Sequence, residues 1–410
     1  MESYRNIRLS IVFVTIATMI VAFFWGHSFM APRVVRMFFV CLMILSMAVF
    51  PYRFIRENDF DKFSNFLLRL ILILGVIAII RSVFNENYDM YAFGNKWATL
   101  FGNEMAALLF VPPLFTYLST KPLSVFLLSK INYQYMFWGA LCFLWHKYPL
   151  AHLVICLSVF FPYVKRQYKI LIGFAVLQAL LGASDKYDSV RIFYLLLLFG
   201  LTAYVLVYKI KKINIIRFFC ITCLVLPFFL FIPILFKSNV YNQTFFEKIQ
   251  TYIIDNTGKR DLAADTRSFL YREMALDLAK SESWVWGKGA YAHYYSEWFD
   301  EGRNGKHGRM GIEVVFLNFL MHGGIVYVFL YNLLLVYAIY KGLWKSNNKF
   351  IQCCAVVITG WFLCGFIGDL LGCRYYHMFF YILLGCCLSK RFLSMNDEQI
   401  VLLFKGNSII

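Results

Sequence analysis

The chain has 410 residues, of which 60% are hydrophobic, 20% aromatic and only 15% charged, and its formal net charge is +17. A typical soluble domain carries about 25% charged residues, so this chain lacks the polar surface that a soluble fold needs. With a mean hydropathy of +0.63, the composition excludes a disordered chain, a secreted disulfide scaffold and a nucleic-acid binder, and it reads as an all-α polytopic membrane protein.

A helix needs about 20 apolar residues to cross the hydrocarbon core. Apolar runs predict twelve spans, at about 9–25, 34–50, 66–83, 99–118, 124–145, 149–164, 168–183, 191–208, 215–236, 311–340, 350–368 and 374–389. The first run resembles a signal peptide, with Arg5 and Arg8 before it, but no small-x-small cleavage site follows and it reads as a retained span. With the N-terminus inside, the inner segments hold the denser basic clusters, such as Lys165, Arg166 and Lys169, then Lys209, Lys211, Lys212 and Arg217. The short outer loops hold fewer, among them Arg33, Arg36, Arg81, Arg191 and Arg374. The positive-inside rule therefore puts both termini in the cytoplasm and accounts for the basic excess as a topology signal. Asp59-Phe-Asp61 has the spacing of a metal-binding acid pair but falls in a short cytoplasmic loop, where it reads as a solvated connector. The cysteines, Cys220-x-x-Cys223 included, sit almost entirely in apolar runs, so neither disulfides nor a metal site is expected.

The chain divides into spans 1–9 over 1–236, an outer segment over 237–310, and spans 10–12 with a short tail over 311–410. The outer segment is the exception to the composition, with 11 Lys/Arg and 10 Asp/Glu. It is too long for a structureless connection and reads as a small folded cap. Its clearest element is a helix over 265–280, capped by Asp265 or Thr266, with Leu270, Met274 and Leu278 on one apolar face. Arg267 then lies in the first turn, where free backbone N–H groups bind anions. It would either join Arg272 in a phosphate or pyrophosphate site or pair with Asp265 or Asp261 on a solvated helix. Gly287-Lys-Gly289 predicts a tight turn with close backbone approach. Tyr291, Tyr294, Tyr295 and Trp298 either stack on sugars or form an interfacial aromatic belt. Arg309 and Glu313 stand four residues apart at the entrance of span 10, spaced for an ion pair or for a base held by its partner. His322, before Gly323-Gly324, reads as a hydrogen-bonded core residue.

These features together resemble the O-antigen polymerase and O-antigen ligase superfamily. Ser189-Val-Arg191, Asp265-Thr-Arg267 with Tyr271-Arg272-Glu273, Gly287-Lys-Gly289, and Arg309-x-x-x-Glu313 through Gly323-Gly324-Ile325 carry the likeness. In the ligase branch a His followed by Asn stands eleven residues before the Gly that interrupts the helix; counting back from Gly324 gives Glu313 followed by Val314. That departure points to the polymerase branch. The resemblance implies a metal- and cofactor-free glycosyltransferase of the bacterial inner membrane with its site facing the periplasm. It would move a growing glycan from undecaprenyl pyrophosphate to the terminal sugar of another lipid-linked repeat unit. Arg191, Arg267 and Arg272, with Arg309 in reserve, would bind the pyrophosphate, Glu313 would act as base, and a chain-length regulator and a flippase would be partners. Ligation of glycan to lipid A core, capsule or exopolysaccharide synthesis, and lipid-linked oligosaccharide transport are the alternatives.

Overall fold

The computed structural model describes residues 55–56, 58–84, 112–127, 129–130, 156–166, 169–170, 172–173, 190–235, 268–290, 292–294, 312, 314–368 and 375–405. The described residues are helical, with a single isolated antiparallel bridge between Phe60 and Ser389. The main helices are α1 (Lys62–Phe84), α2 (Val190–Tyr204, extended by a wider π-helical stretch Val205–Ile210), α3 (Ile213–Leu235), α4 (Ser268–Lys280), α5 (Val315–Trp344), α6 (Lys349–Cys364), α7 (Tyr375–Leu388), α8 (Lys390–Ser394) and α9 (Asp397–Lys405). Among the described residues, three stretches are long and apolar enough to cross a membrane, Lys62–Ser82, Ile213–Phe231 and Val315–Trp344; Tyr194–Ile210, Lys349–Cys364 and Phe379–Leu388 are shorter apolar helices. All six lie on expected spans. The expected span 149–164 is described over its second half, as a π-helical stretch Cys156–Phe160 and a 3-10 turn Phe161–Tyr163; the remaining expected spans fall wholly or largely outside the described residues.

Helix α6 is the centre of the bundle. It is apolar nearly all round, as a buried helix must be, and only Lys349, Gln352 and Leu363 keep partial exposure. Helices α2, α3, α5 and α7 all pack on it. Between membrane helices the hydrophobic effect offers little, so association rests on close packing. Gly360 allows that: a Cβ there would meet the Phe199 ring of α2 at 2.6 Å. On the α7 side Trp361 stacks on Phe380 with centroids 4.3 Å apart. The outer helices behave oppositely, with Phe66 and Ile80 of α1 and Phe218 and Phe229 of α3 exposed, as a lipid-facing surface requires.

The inner-loop acids do not form the solvated connector that their position suggests. Asp61 caps α1 by accepting Ser64 N–H at 2.7 Å. Its other oxygen accepts from the Tyr337 hydroxyl and the Lys341 ammonium of α5, both at 2.8 Å. Lys341, buried in the last turn of α5, also donates to Leu388 O at 2.9 Å, which ties in α7. Asp59 accepts from Ser389 Oγ at 2.6 Å and Arg391 N at 2.8 Å. The correction has a physical reason: the loop folds back onto the ends of α5 and α7, where a carboxylate finds donors that replace water. Asn348 completes this end. It caps α6 through Ile351 N and donates to Phe392 O and Met395 O.

Candidate functional site

Helix α5 is not continuous. Gly324 has φ +68° and ψ −172°, outside the helical region. A break in a membrane helix strands carbonyls on one side and N–H groups on the other, and each needs a partner inside the protein. The segment 284–290 supplies them. Lys288 N and Gly289 N donate to Met321 O and His322 O at 2.7 and 3.0 Å. Trp284 O and Val285 O accept from Ile325 N and Val326 N at 2.8 and 3.4 Å. Ala290 N donates to Ala78 O of α1 at 3.1 Å, so the segment is wedged between α1 and α5.

Such contact between main chains leaves no room for side chains. A Cβ on Gly287 (φ +65°) would lie 2.6 Å from the backbone of His322, Gly323 and Gly324. Gly324 itself faces Gly287 N at 2.5 Å from its would-be Cβ. The expected tight turn is therefore present, and close approach is its purpose. His322 is 1% exposed, and its Nδ1 lies 2.8 Å from Gly289 O. It is the hydrogen-bonded core residue anticipated, donating to that carbonyl from Nδ1. Arg81 of α1 grips the same turn from outside, donating to Trp286 O and Gly287 O at 2.8 and 3.0 Å. In the sequence Arg81 reads only as a loop charge, because nothing local signals a contact 205 residues away.

Helix α4 docks the segment to the bundle. Leu270, Met274 and Leu278 are buried as the periodicity predicted. Tyr271 is fully buried, stacks on Phe231 of α3 at 5.4 Å and donates to Phe366 O at 2.5 Å. Lys288 pairs with Asp277 of α4 and donates to His293 O at 3.2 Å, so its charge is used internally.

Of the expected pyrophosphate ligands, Arg272 stands on the exposed face of α4, turned away from Leu270 and Met274, with no partner among the described residues. Arg191 is the second residue of α2. Arg267, Arg309 and Glu313 lie outside the described residues, as do Tyr291, Tyr295 and Trp298. Tyr294 is a correction: it is fully buried, so its ring offers no face to a sugar and serves as core. A second correction concerns the start of span 10. Helix α5 begins at Val315, and Val314 is extended with φ −140° and ψ 120°. Arg309 and Glu313 therefore come before the first residue of this helix in the chain. The entrance is held by Asn318, whose side-chain oxygen accepts Ile312 N at 2.9 Å and whose amide donates to Ile312 O. Val315 N and Phe316 N donate to Gly368 O and Gly365 O just beyond α6. Ile312 and Val314, on either side of Glu313, are both buried.

A small, shallow apolar groove runs along α5 and α6. Phe316, Phe319, Val328, Tyr331, Asn332 and Phe362 are among its walls, so it passes the level of the break. No cluster of metal-ligating side chains occurs among the described residues.

Residues 187–331 match a family model described as O-antigen ligase. The match runs from the start of α2 through α4, the wedged segment and the break in α5, and it supports the O-antigen polymerase and ligase superfamily. No curated protein and no solved structure matches the chain.

Proposed function

We propose, with residues 187–331 taken as an O-antigen polymerase and ligase superfamily segment, that this membrane protein is a surface-glycan polymerase. It joins lipid-linked repeat units at the periplasmic face of the bacterial inner membrane, with both termini cytoplasmic. The hydroxyl on the terminal sugar of one unit attacks the anomeric carbon of the growing glycan. The new glycosidic bond forms as the bond to pyrophosphate breaks, and undecaprenyl pyrophosphate leaves. Negative charge collects on the leaving group, where arginines stabilise it without a metal; Arg191, Arg267 and Arg272, with Arg309 in reserve, are assigned that task. The proton lost by the attacking hydroxyl goes to Glu313.

The observation that carries the reading is the family match. It spans the charged outer segment and the break in α5 together, and Glu313 lies between them in the chain. Transport is the weaker reading. In transporters a broken helix offers its free backbone groups to the substrate, whereas here Met321 O, His322 O, Ile325 N and Val326 N are taken up by the protein's own chain. Ligation is the second reading, favoured by the description of the matched family and opposed by a glutamate where the ligase branch carries histidine.

The test is a deletion strain complemented with Arg267→Ala, Arg272→Ala or Glu313→Gln, with the surface polysaccharide resolved by size. Single-repeat glycans at normal membrane abundance are expected from each. Wild-type ladders from all three would sink the assigned site. Long glycans retained on the carrier but missing from lipid A core would replace polymerisation by ligation.

A further inference from the structure

Arg81 stands in the last turn of α1, where the helix dipole favours a cation. Its guanidinium carries five N–H donors in a rigid fork. One donates to Trp286 O and one to Gly287 O, at 2.8 and 3.0 Å. Both acceptors are neutral carbonyls, and no carboxylate pairs with Arg81 among the described residues, so the charge is fixed in place and, within them, not neutralised.

The surroundings of Arg81 are exposed and apolar. Ile77, Ile80 and Phe84 lie on its own helix, Val285 and Trp286 on the segment it grips, and Ile325 and Phe329 on α5 just past the break. The patch is continuous, because Ile325 N bonds to Trp284 O two residues from Trp286. Two of its walls belong to candidate membrane spans, Lys62–Ser82 and Val315–Trp344. A surface of this kind faces lipid, and an arginine beside an exposed tryptophan at the end of a span marks the membrane–water boundary. At that depth the anion most available to a fixed guanidinium is a lipid phosphate, which matches its planar fork by two hydrogen bonds.

We propose that Arg81 seats the phosphate of a membrane phospholipid on the lateral face where α1 meets the segment 284–290. Trp286 O and Gly287 O hold the guanidinium ready, so little side-chain freedom is lost on binding. Ile80, Phe84, Trp286 and Phe329 flank the acyl chains. The same side chain fastens the segment that fills the break in α5, so the lipid and the wedge share one residue.

Native mass spectrometry of the full chain, released from vesicles of phosphatidylcholine with and without phosphatidylglycerol, tests the seat. Wild-type protein should retain phosphatidylglycerol. Arg81→Gln keeps an amide donor for Trp286 O but loses the charge, and retention should fall about fivefold, the factor for one cation at a lipid surface. Arg81→Lys should recover part of it. Trp286→Ala leaves the backbone carbonyl in place and should lower retention without lowering the thermal midpoint in lipid-free detergent. Equal retention by wild type, Arg81→Gln and Trp286→Ala would overturn the proposal. So would retention that responds to Arg81 only when an added polyprenyl pyrophosphate is the probe, since the position would then serve the substrate.

Discussion

Helix α5 is fastened at two places by opposite means. At Gly324 the contacts run from backbone to backbone, with glycine facing glycine and Arg81 and His322 acting on carbonyls. At Lys341 the contacts are made by side chains, where Asp61, Tyr337 and Lys341 meet around one carboxylate oxygen. The first arrangement depends on the absence of side chains and the second on their presence. A backbone joint fixes position tightly but tolerates no added atom. A side-chain clamp tolerates replacement when charge and hydrogen bonding are changed together. The joint lies within the family-matched stretch 187–331 and the clamp lies beyond it.

The largest effect is expected at the joint. Gly287→Val places a branched side chain at φ +65° and against the backbone of Gly323 and Gly324. Strain of about 1–3 kcal/mol from the left-handed conformation adds to the steric overlap. Membrane abundance and the detergent thermal midpoint should both collapse, and Gly324→Ala should follow the same course. Near-normal abundance of either variant would mean that the segment 284–290 detaches from α5 at little cost.

A smaller effect is expected at the clamp. Lys341→Met leaves Asp61 without its cation, and removing one partner of a buried pair costs about 3–5 kcal/mol. Asp61 keeps a quarter of its side chain exposed, and solvent screening reduces the figure to about 2 kcal/mol. The double variant Asp61→Asn, Lys341→Met should regain most of the lost thermal midpoint, because no charge is then stranded. If the double variant is as unstable as the single one, charge balance is not what holds this end.

The smallest effect is expected on changing pH. Burial raises the pKa of the Asp61 carboxyl, but hydrogen bonds from Lys341, Ser64 and Tyr337 outweigh it and hold the carboxyl well below its ordinary range. A depressed carboxylate contributes stability that is complete above the unfolded pKa of about 4 and is lost as pH falls through the folded value. Thermal midpoints of wild-type protein should therefore show no Asp61-dependent change between pH 8 and 5. A wild-type decline in that window that Asp61→Asn abolishes would break the clamp as described.

Much of this could be read from the residues. Leu270, Met274 and Leu278 follow the helical period, and α4 buries them. Gly287 and Gly289 have no side chain to contribute, so their presence in a bulky, aromatic-rich chain signals close approach, and the structure supplies Gly324 as the partner of Gly287. The start of α5 was misread because apolar character continues through Ile312 and Val314, whereas the helix waits for Asn318 to fold back on Ile312. Tyr294 was misread because an aromatic in a polar segment looks exposed until the bundle behind it is known.

The sequence by itself determined that this is a helical membrane protein with a charged segment before its tenth expected span, since hydropathy and charge act residue by residue against the bilayer. It also determined the likeness to a glycan-processing family, through short local motifs. Only the tertiary structure decided that Trp284–Gly289 completes a broken helix, that Asp61 meets Lys341, and that Arg81 holds the wedge from α1. Those contacts join residues some 30 to 280 positions apart. They arise because buried backbone and charged groups must find partners in space, a demand that leaves no pattern along the chain.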